Sequence, residues 1–143
     1  MPKGRSPARV FLDANTLFSA AYSPKGRCAA LFELPRLGSC ELFTSAYAVT
    51  EAERNLRHKK PAALKLFPRL LAQMRVVPEP DQERQAQAVA LGIDEGDVDI
   101  LAAALGRCEA LITGDRRHFG RWMGRSVKGI QVMSPADALA AFL

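Results

Sequence analysis

Three aspartates stand where an apolar pattern gives way to a carboxylate. Arg9-Val10-Phe11-Leu12 reads as a short buried strand and ends on Asp13. Ala110-Leu111-Ile112-Thr113 repeats the device, and Thr-Gly-Asp at its exit places Asp115 at the carboxyl edge of a sheet. From Asp97, the residues Ile100, Leu101, Ala104 and Leu105 recur at helical spacing, so Asp97 falls on the inward stripe of a helix's first turn. A bare carboxylate facing a core costs several kcal/mol unless it meets a cation, a metal or an open cleft.

In an α/β sheet the crevice beyond the carboxyl ends of the strands collects ligands. Asp13, Asp97, Asp115 and an acid on the helix after the second strand lie far apart in sequence, yet most are predicted at that one edge. Crowded carboxylates repel, and hard divalent cations such as Mg²⁺ or Mn²⁺ relieve that repulsion through oxygen ligands. A cation so held lowers the pKa of water and braces charge developing on a phosphodiester. Each residue also has a plainer role. Asp13 can bond the amides of Asn15 or Thr16, Asp97 suits the positive end of a helix, and Asp115 can cap the turn at Arg116.

The elements that must position these acids follow from the rest of the chain. Its 143 residues are 48% hydrophobic and 24% charged, the make-up of one soluble domain. No apolar run spans a membrane and Met1–Val10 lacks a signal peptide's apolar segment, so the expected location is cytoplasmic. Cys28, Cys40 and Cys108 fit neither a disulfide framework nor a zinc site and read as free buried thiols. The net charge of +5 is consistent with a polyanionic partner without requiring one.

Residues 1–8 read as a polar lead-in and 9–143 as the domain. Helices are predicted over Thr16–Tyr22, Arg27–Leu34 with a stop at Pro35, Ala46–Arg57 capped by Ser45, Ala62–Met74 with a kink at Pro68, Asp81–Leu91, and from Ser134-Pro135 to Leu143. Strands are predicted at Glu41–Phe43, Arg75–Val77 and Ile130–Met133, with a basic loop over Gly120–Gly129. This alternation gives a single three-layer α/β/α domain around a mostly parallel sheet. On the helix after Ser45 the apolar stripe Val49, Ala52 and Leu56 lies nearer to Glu53 than to Glu51, and both can equally be solvated. Arg54, Arg57, Lys59, Lys60, Lys65 and Arg69 form a basic arm, either a solvated face or a grip for a phosphate backbone.

VFLDANTL, TSAYAVTEAERNL, DEGDVDILAAAL and ALITGDRRHF, in that order, resemble the motifs of the PIN domain, and the resemblance extends to IQVMSPADALAAFL. It implies a parallel sheet between helices and a ring of acids that binds Mg²⁺ or Mn²⁺ to cleave RNA. Carried over by motif, the acids are Asp13, Glu51, Asp97 and Asp115, which turns the choice of glutamate toward Glu51. Asn15, Thr16 and Thr113 match the family's polar positions. Asp99 is a further carboxylate about 200° round the helix from Asp97, while Asp94 and Glu95 sit in the loop before it. Arg116, Arg117, Arg121 and Arg125, with Arg54, Lys59 and Lys60, are the expected contacts to RNA. Many small PIN proteins are toxins of the VapC type held by an antitoxin, often through an arginine entering the acid pocket. A homodimer is also expected, from the family and from alanine-rich surfaces.

Two other readings are open. VFLDANT resembles the Asp-x-Asp-x-Thr strand end of haloacid dehalogenase phosphatases, but Asn15 stands where their general acid belongs. A PIN-fold module could also bind RNA or protein without catalysis.

Overall fold

The computed structural model describes residues 7–92, 95–115 and 119–143, and of residues 95–97 the backbone alone. Strand β1 (Ala8–Leu12) is followed by α1 (Ala14–Tyr22) and by α2 (Arg27–Ala30), which tightens into a 3₁₀ helix at Leu31–Leu37. Pro35 lies inside that tightened segment and does not stop it. Only after Leu37 does the chain turn, at Gly38 with φ 74°.

Strand β2 (Cys40–Ser45) leads into α3 (Ala46–Lys59), where Ser45 accepts from the Ala48 N–H as the cap that the sequence predicts. The expected helix over Ala62–Met74 is broken. It becomes a 3₁₀ turn at Pro61–Lys65 and a single short helix, α4 (Phe67–Leu71), with Pro68 in its first turn. Pro68 has no N–H to give to a preceding turn, so it starts a helix there more readily than it continues one.

Then come β3 (Arg75–Val77), α5 (Gln82–Ala90), α6 (Glu95–Ala104), β4 (Ala110–Ile112), β5 (Ser126–Val127), β6 (Ile130–Met133) and α7 (Pro135–Phe142). The loop expected over Gly120–Gly129 contains β5, which pairs antiparallel with β6. Lys128 and Gly129 connect them with φ of 51° and 81°, the two left-handed residues of a tight hairpin.

The sheet order is β3-β2-β1-β4-β6-β5, and every pairing but the last is parallel. The chain steps outward from β1 to β3, then returns past β1 to β4. Right-handed crossovers put the connections of these two runs on opposite faces of the sheet. Accordingly α1 packs on α3, and α5 on α6. The core is Val10, Phe11, Leu12, Leu42, Leu101, Leu111 and Ile112 with Ala102, Ala103 and Ala104. Those alanines are fully buried within the fold, while Ala86, Ala90, Ala140 and Ala141 on α5 and α7 are exposed. No helix among the described residues is long and apolar enough to cross a membrane.

Candidate active site

Strands β1 and β4 are neighbours, with Leu12 beside Ile112, and both chains leave the sheet at the same edge. The strand order reverses here, the place where open α/β sheets hold ligands. Asp13 is the first residue beyond β1, extended at φ −77° and ψ 174°. Its Oδ1 accepts from the Thr16 N–H at 2.8 Å and from the Thr16 hydroxyl at 2.6 Å, so it caps α1. The capping alternative therefore holds, but it does not account for the burial: Asp13 is only 5% exposed.

Thr113 ties the second strand end to the first. It is wholly buried, its N–H donates to Met133 O at 2.9 Å on β6, and its Oγ1 accepts from the Asp115 N–H at 3.0 Å. The same hydroxyl bonds the Asp13 side chain. Burial pushes the Asp13 carboxyl above its ordinary value; the bonds from Thr113 and Thr16 pull it back only in part, and the charge of Asp115 pushes it further up. Among the described residues no Lys, Arg or His forms an ion pair with Asp13.

A second acidic group lies along α3 and α6. The Tyr47 hydroxyl donates to Glu51 Oε1 at 3.2 Å, and Gln85 Nε2 donates to Asp99 Oδ1 at 3.2 Å. The Tyr47 phenol is raised by burial first, then by Glu51 and by the charge of Asp99, so both acids face it. Glu53 is instead paired with Arg57 at 2.8 Å on the outer side of the helix. The two glutamates that periodicity left open thus have different partners. Tyr47 is the residue sequence reading missed; its spacing of four from Glu51 on one helix was the available signal.

Asp13, Thr16, Thr113 and Asp115 are therefore brought together. Asn15 is exposed in the first turn of α1 and takes no described part. Asp94, Arg116 and Arg117, and the side chains of Glu95 and Asp97, lie outside the described residues. Among the described residues no three acidic, histidine or cysteine side chains gather around one point. The donors present at the strand ends are all oxygens, carboxylates backed by hydroxyls, which suits a hard divalent cation.

Three of the expected RNA contacts have partners within the fold. Lys60 Nζ donates to Tyr22 O at 2.7 Å and lies 5.1 Å over the Tyr22 ring. Lys59 sits 5.5 Å over Phe18. Arg121 donates to Leu91 O at 2.6 Å and stacks on Trp122 at 4.8 Å, closing the end of α5 beside Gly92. Arg54 and Arg125 are exposed. All three cysteines are free, with Cys40 and Cys108 buried and Cys28 half-buried.

The family model of the PIN domain matches residues 9–117. The chain belongs to the PIN domain family. Solved structures share the fold at low identity. VapBC2 from Rickettsia felis, bound to a DNA fragment from its promoter, is 14% identical over 88% of this chain and 98% of that one, with a TM-score of 0.67. PAE2754 from Pyrobaculum aerophilum is 18% identical over 97% and 93%, at 0.65. FitAcB from Neisseria gonorrhoeae is 20% identical over 89% and 98%, at 0.61. No curated protein matches significantly in sequence. Membership of the PIN family sets aside the phosphatase reading of VFLDANT, and Asp13 and Asp115 stand in this PIN domain at adjacent strand ends.

Proposed function

We propose that this PIN domain is a metal-dependent endoribonuclease of the toxin type. The observation that supports it most is the buried Asp13 carboxylate, held by Thr16 and Thr113 beside Asp115 at the switch point of the sheet. Ionising a carboxyl so buried is costly, and a cation at the strand ends would offset that cost. Asp13 and Asp115 would hold Mg²⁺ or Mn²⁺ together with Asp97 and Glu51. When bound, such an ion supplies Lewis-acid stabilisation of a phosphodiester and a more acidic water.

The rest falls to this chain's own groups. Thr16 fixes the Asp13 rotamer, and the Thr113 hydroxyl couples Asp13 to the backbone of Asp115, so the two strand ends keep one geometry. Tyr47 holds Glu51 by its hydroxyl. Exposed Arg54 and Arg125, with Arg116 and Arg117, would meet the RNA backbone. The fold neighbours VapBC2 and FitAB were solved bound to DNA fragments, which supports an antitoxin as protein partner. A homodimer rests on the family and on exposed alanines such as Ala86, Ala90, Ala140 and Ala141, and sedimentation at high concentration tests it.

The decisive experiment is hydrolysis of single-stranded RNA by the pure protein with Mn²⁺ or Mg²⁺, compared with chelator and with Asp13→Asn. Metal-dependent cleavage lost in the variant is the expected result. RNA binding without cleavage under every condition would make the chain a binding module.

A further inference from the structure

A cavity of about 400 Å³ lies beside the acid site, lined by Ser19, Ser23, Arg27, Cys28, Ser134 and Pro135. Its position follows from the elements already described. Ser19 is on α1, the helix that Asp13 caps, about 9 Å along the axis at 1.5 Å per residue. Ser134 follows Met133, whose carbonyl accepts from Thr113. Cys28 bonds Ser19 and is close enough to Asp13 to feel its charge. The cavity therefore reaches the sheet edge of the two aspartates at Ser134 and extends along α1 through Ser19 and Ser23.

Its chemistry differs from that of the acid site. Arg27 is exposed at the start of α2 and has no carboxylate partner among the described residues. None of the lining residues is acidic. Three serine side chains offer hydroxyls, Ser134 Oγ keeping its proton to donate while it accepts from the Asp137 N–H at 3.1 Å. Pro135 and Ala136 give an apolar wall. The volume lies within the roughly 300–1,000 Å³ of pockets that hold small ligands.

We propose that this cavity is a nucleotide subsite of the acid site, taking the RNA residue next to the scissile phosphodiester. Arg27 holds the flanking phosphate, the serine hydroxyls meet the ribose and the base edge, and Pro135 and Ala136 pack against the base. An unpaired guanidinium and an apolar wall without any acid suit a nucleotide, whose parts are one anion, one polyol and one flat ring. The proposal rests on the nuclease reading and deepens it by naming where the substrate is read.

The test uses a fluorescent RNA pentamer with the full chain, titrated in chelator for binding and turned over in Mn²⁺ for kcat and KM. Arg27→Ala should weaken binding and raise KM about tenfold, the scale of one charge-assisted hydrogen bond, with kcat within about twofold. The log–log salt dependence should become shallower by about 0.7, the share of one phosphate on a single strand. Arg27→Lys should restore the slope, and Ala136→Trp, which fills the cavity, should weaken binding without changing it. Unchanged binding and slope in both Arg27→Ala and Ala136→Trp overturn the subsite. Binding that depends on Arg27 without hydrolysis breaks the nuclease reading and keeps the cavity as a nucleotide site. A chain that neither binds nor cleaves the pentamer overturns both.

Discussion

The two edges of the sheet use carboxylates in opposite ways. At the amino edge Arg9 pairs with Glu109 at 3.2 Å and Arg75 with Glu41 at 3.3 Å, all four at least two-fifths exposed. The Arg9 N–H also donates to Glu109. These residues, with Arg107, line a cavity of about 680 Å³, larger than the one beside Asp13. Its acids are satisfied by its own arginines, and such exposed pairs are worth about 0–1 kcal/mol. At the carboxyl edge Asp13 is buried, raised by desolvation and, among the described residues, served by hydroxyls, an amide and a second acid. In this molecule the larger cavity is the one whose described charges are paired, and the buried carboxylate lies at the other edge.

The comparison breaks first at Asp13. Asp13→Asn keeps a side-chain oxygen to cap α1, so we expect a folded protein whose RNA cleavage falls by more than about 100-fold, beyond what loss of an outer-shell partner costs. Glu41→Gln and Glu109→Gln at the other edge should leave the cleavage rate within about twofold. A gel assay with pure proteins in Mn²⁺ measures both. Equal losses at the two edges would remove the distinction.

Thr113→Val sharpens it. The change is nearly isosteric, but it strips a wholly buried hydroxyl that serves both the Asp115 N–H and Asp13. The amide is left without that acceptor, and we expect about 1–3 kcal/mol lower stability by denaturant titration. Cleavage should fall about 10–100-fold because the carboxylate loses its support. A variant that is less stable yet equally active would reduce Thr113 to a structural role.

How far the sequence foretold this edge depends on the range of the interaction. The strand-then-aspartate pattern at Asp13 and Asp115 is local, and both residues stand at the edge that it implies. The caps expected at Ser45 and Ser134 are local as well, and each accepts a backbone N–H; Asp81, read as the first residue of its helix, caps it instead. The broken helix after Pro61 and the hairpin at Lys128-Gly129 were signalled by proline and glycine, whose effect on backbone dihedrals a helical period hides. That Glu51 meets Tyr47 while Glu53 pairs with Arg57 was not decidable from the stripe on α3, since the Tyr47 phenol is placed also by Asp99 from another helix. Nor could a basic run disclose that Lys59 and Lys60 rest on Phe18 and Tyr22 of α1. Such contacts depend on how distant elements dock, which no periodicity carries.

A smaller effect is expected at the amino edge. A double-mutant cycle on Arg9→Ala and Glu109→Ala should give a coupling of about 0.2–1 kcal/mol that shrinks as salt rises, because both side chains are half in water. Melts at low and high salt measure it. A larger coupling, insensitive to salt, would mean that this edge too is desolvated in solution, and the contrast with Asp13 would lose its basis.

The smallest effect separates the two acids of the site. Asp115 exerts the weakest of the influences on Asp13, so Asp115→Asn should raise the stability of the metal-free protein by only a few tenths of a kcal/mol at neutral pH. The sign follows from proton binding. Asp13 holds its proton to a higher pH folded than unfolded, so its contribution to stability is full below the unfolded value near 3.9 and is lost as pH rises through the folded one. Removing the charge of Asp115 brings the two values closer, so the variant loses less on the way up. Melts in chelator at about pH 4 and about pH 7 should therefore show a gap in the variant's favour that is wider at the higher pH. With Mn²⁺ the order reverses, because stabilisation by a ligand scales with its concentration over the dissociation constant and the variant has one ligand fewer. A variant that melts lower at both pH values in chelator, and gains as much from Mn²⁺ as the wild type, would assign Asp115 to the turn after β4 and leave Asp13 without its neighbour in the metal site.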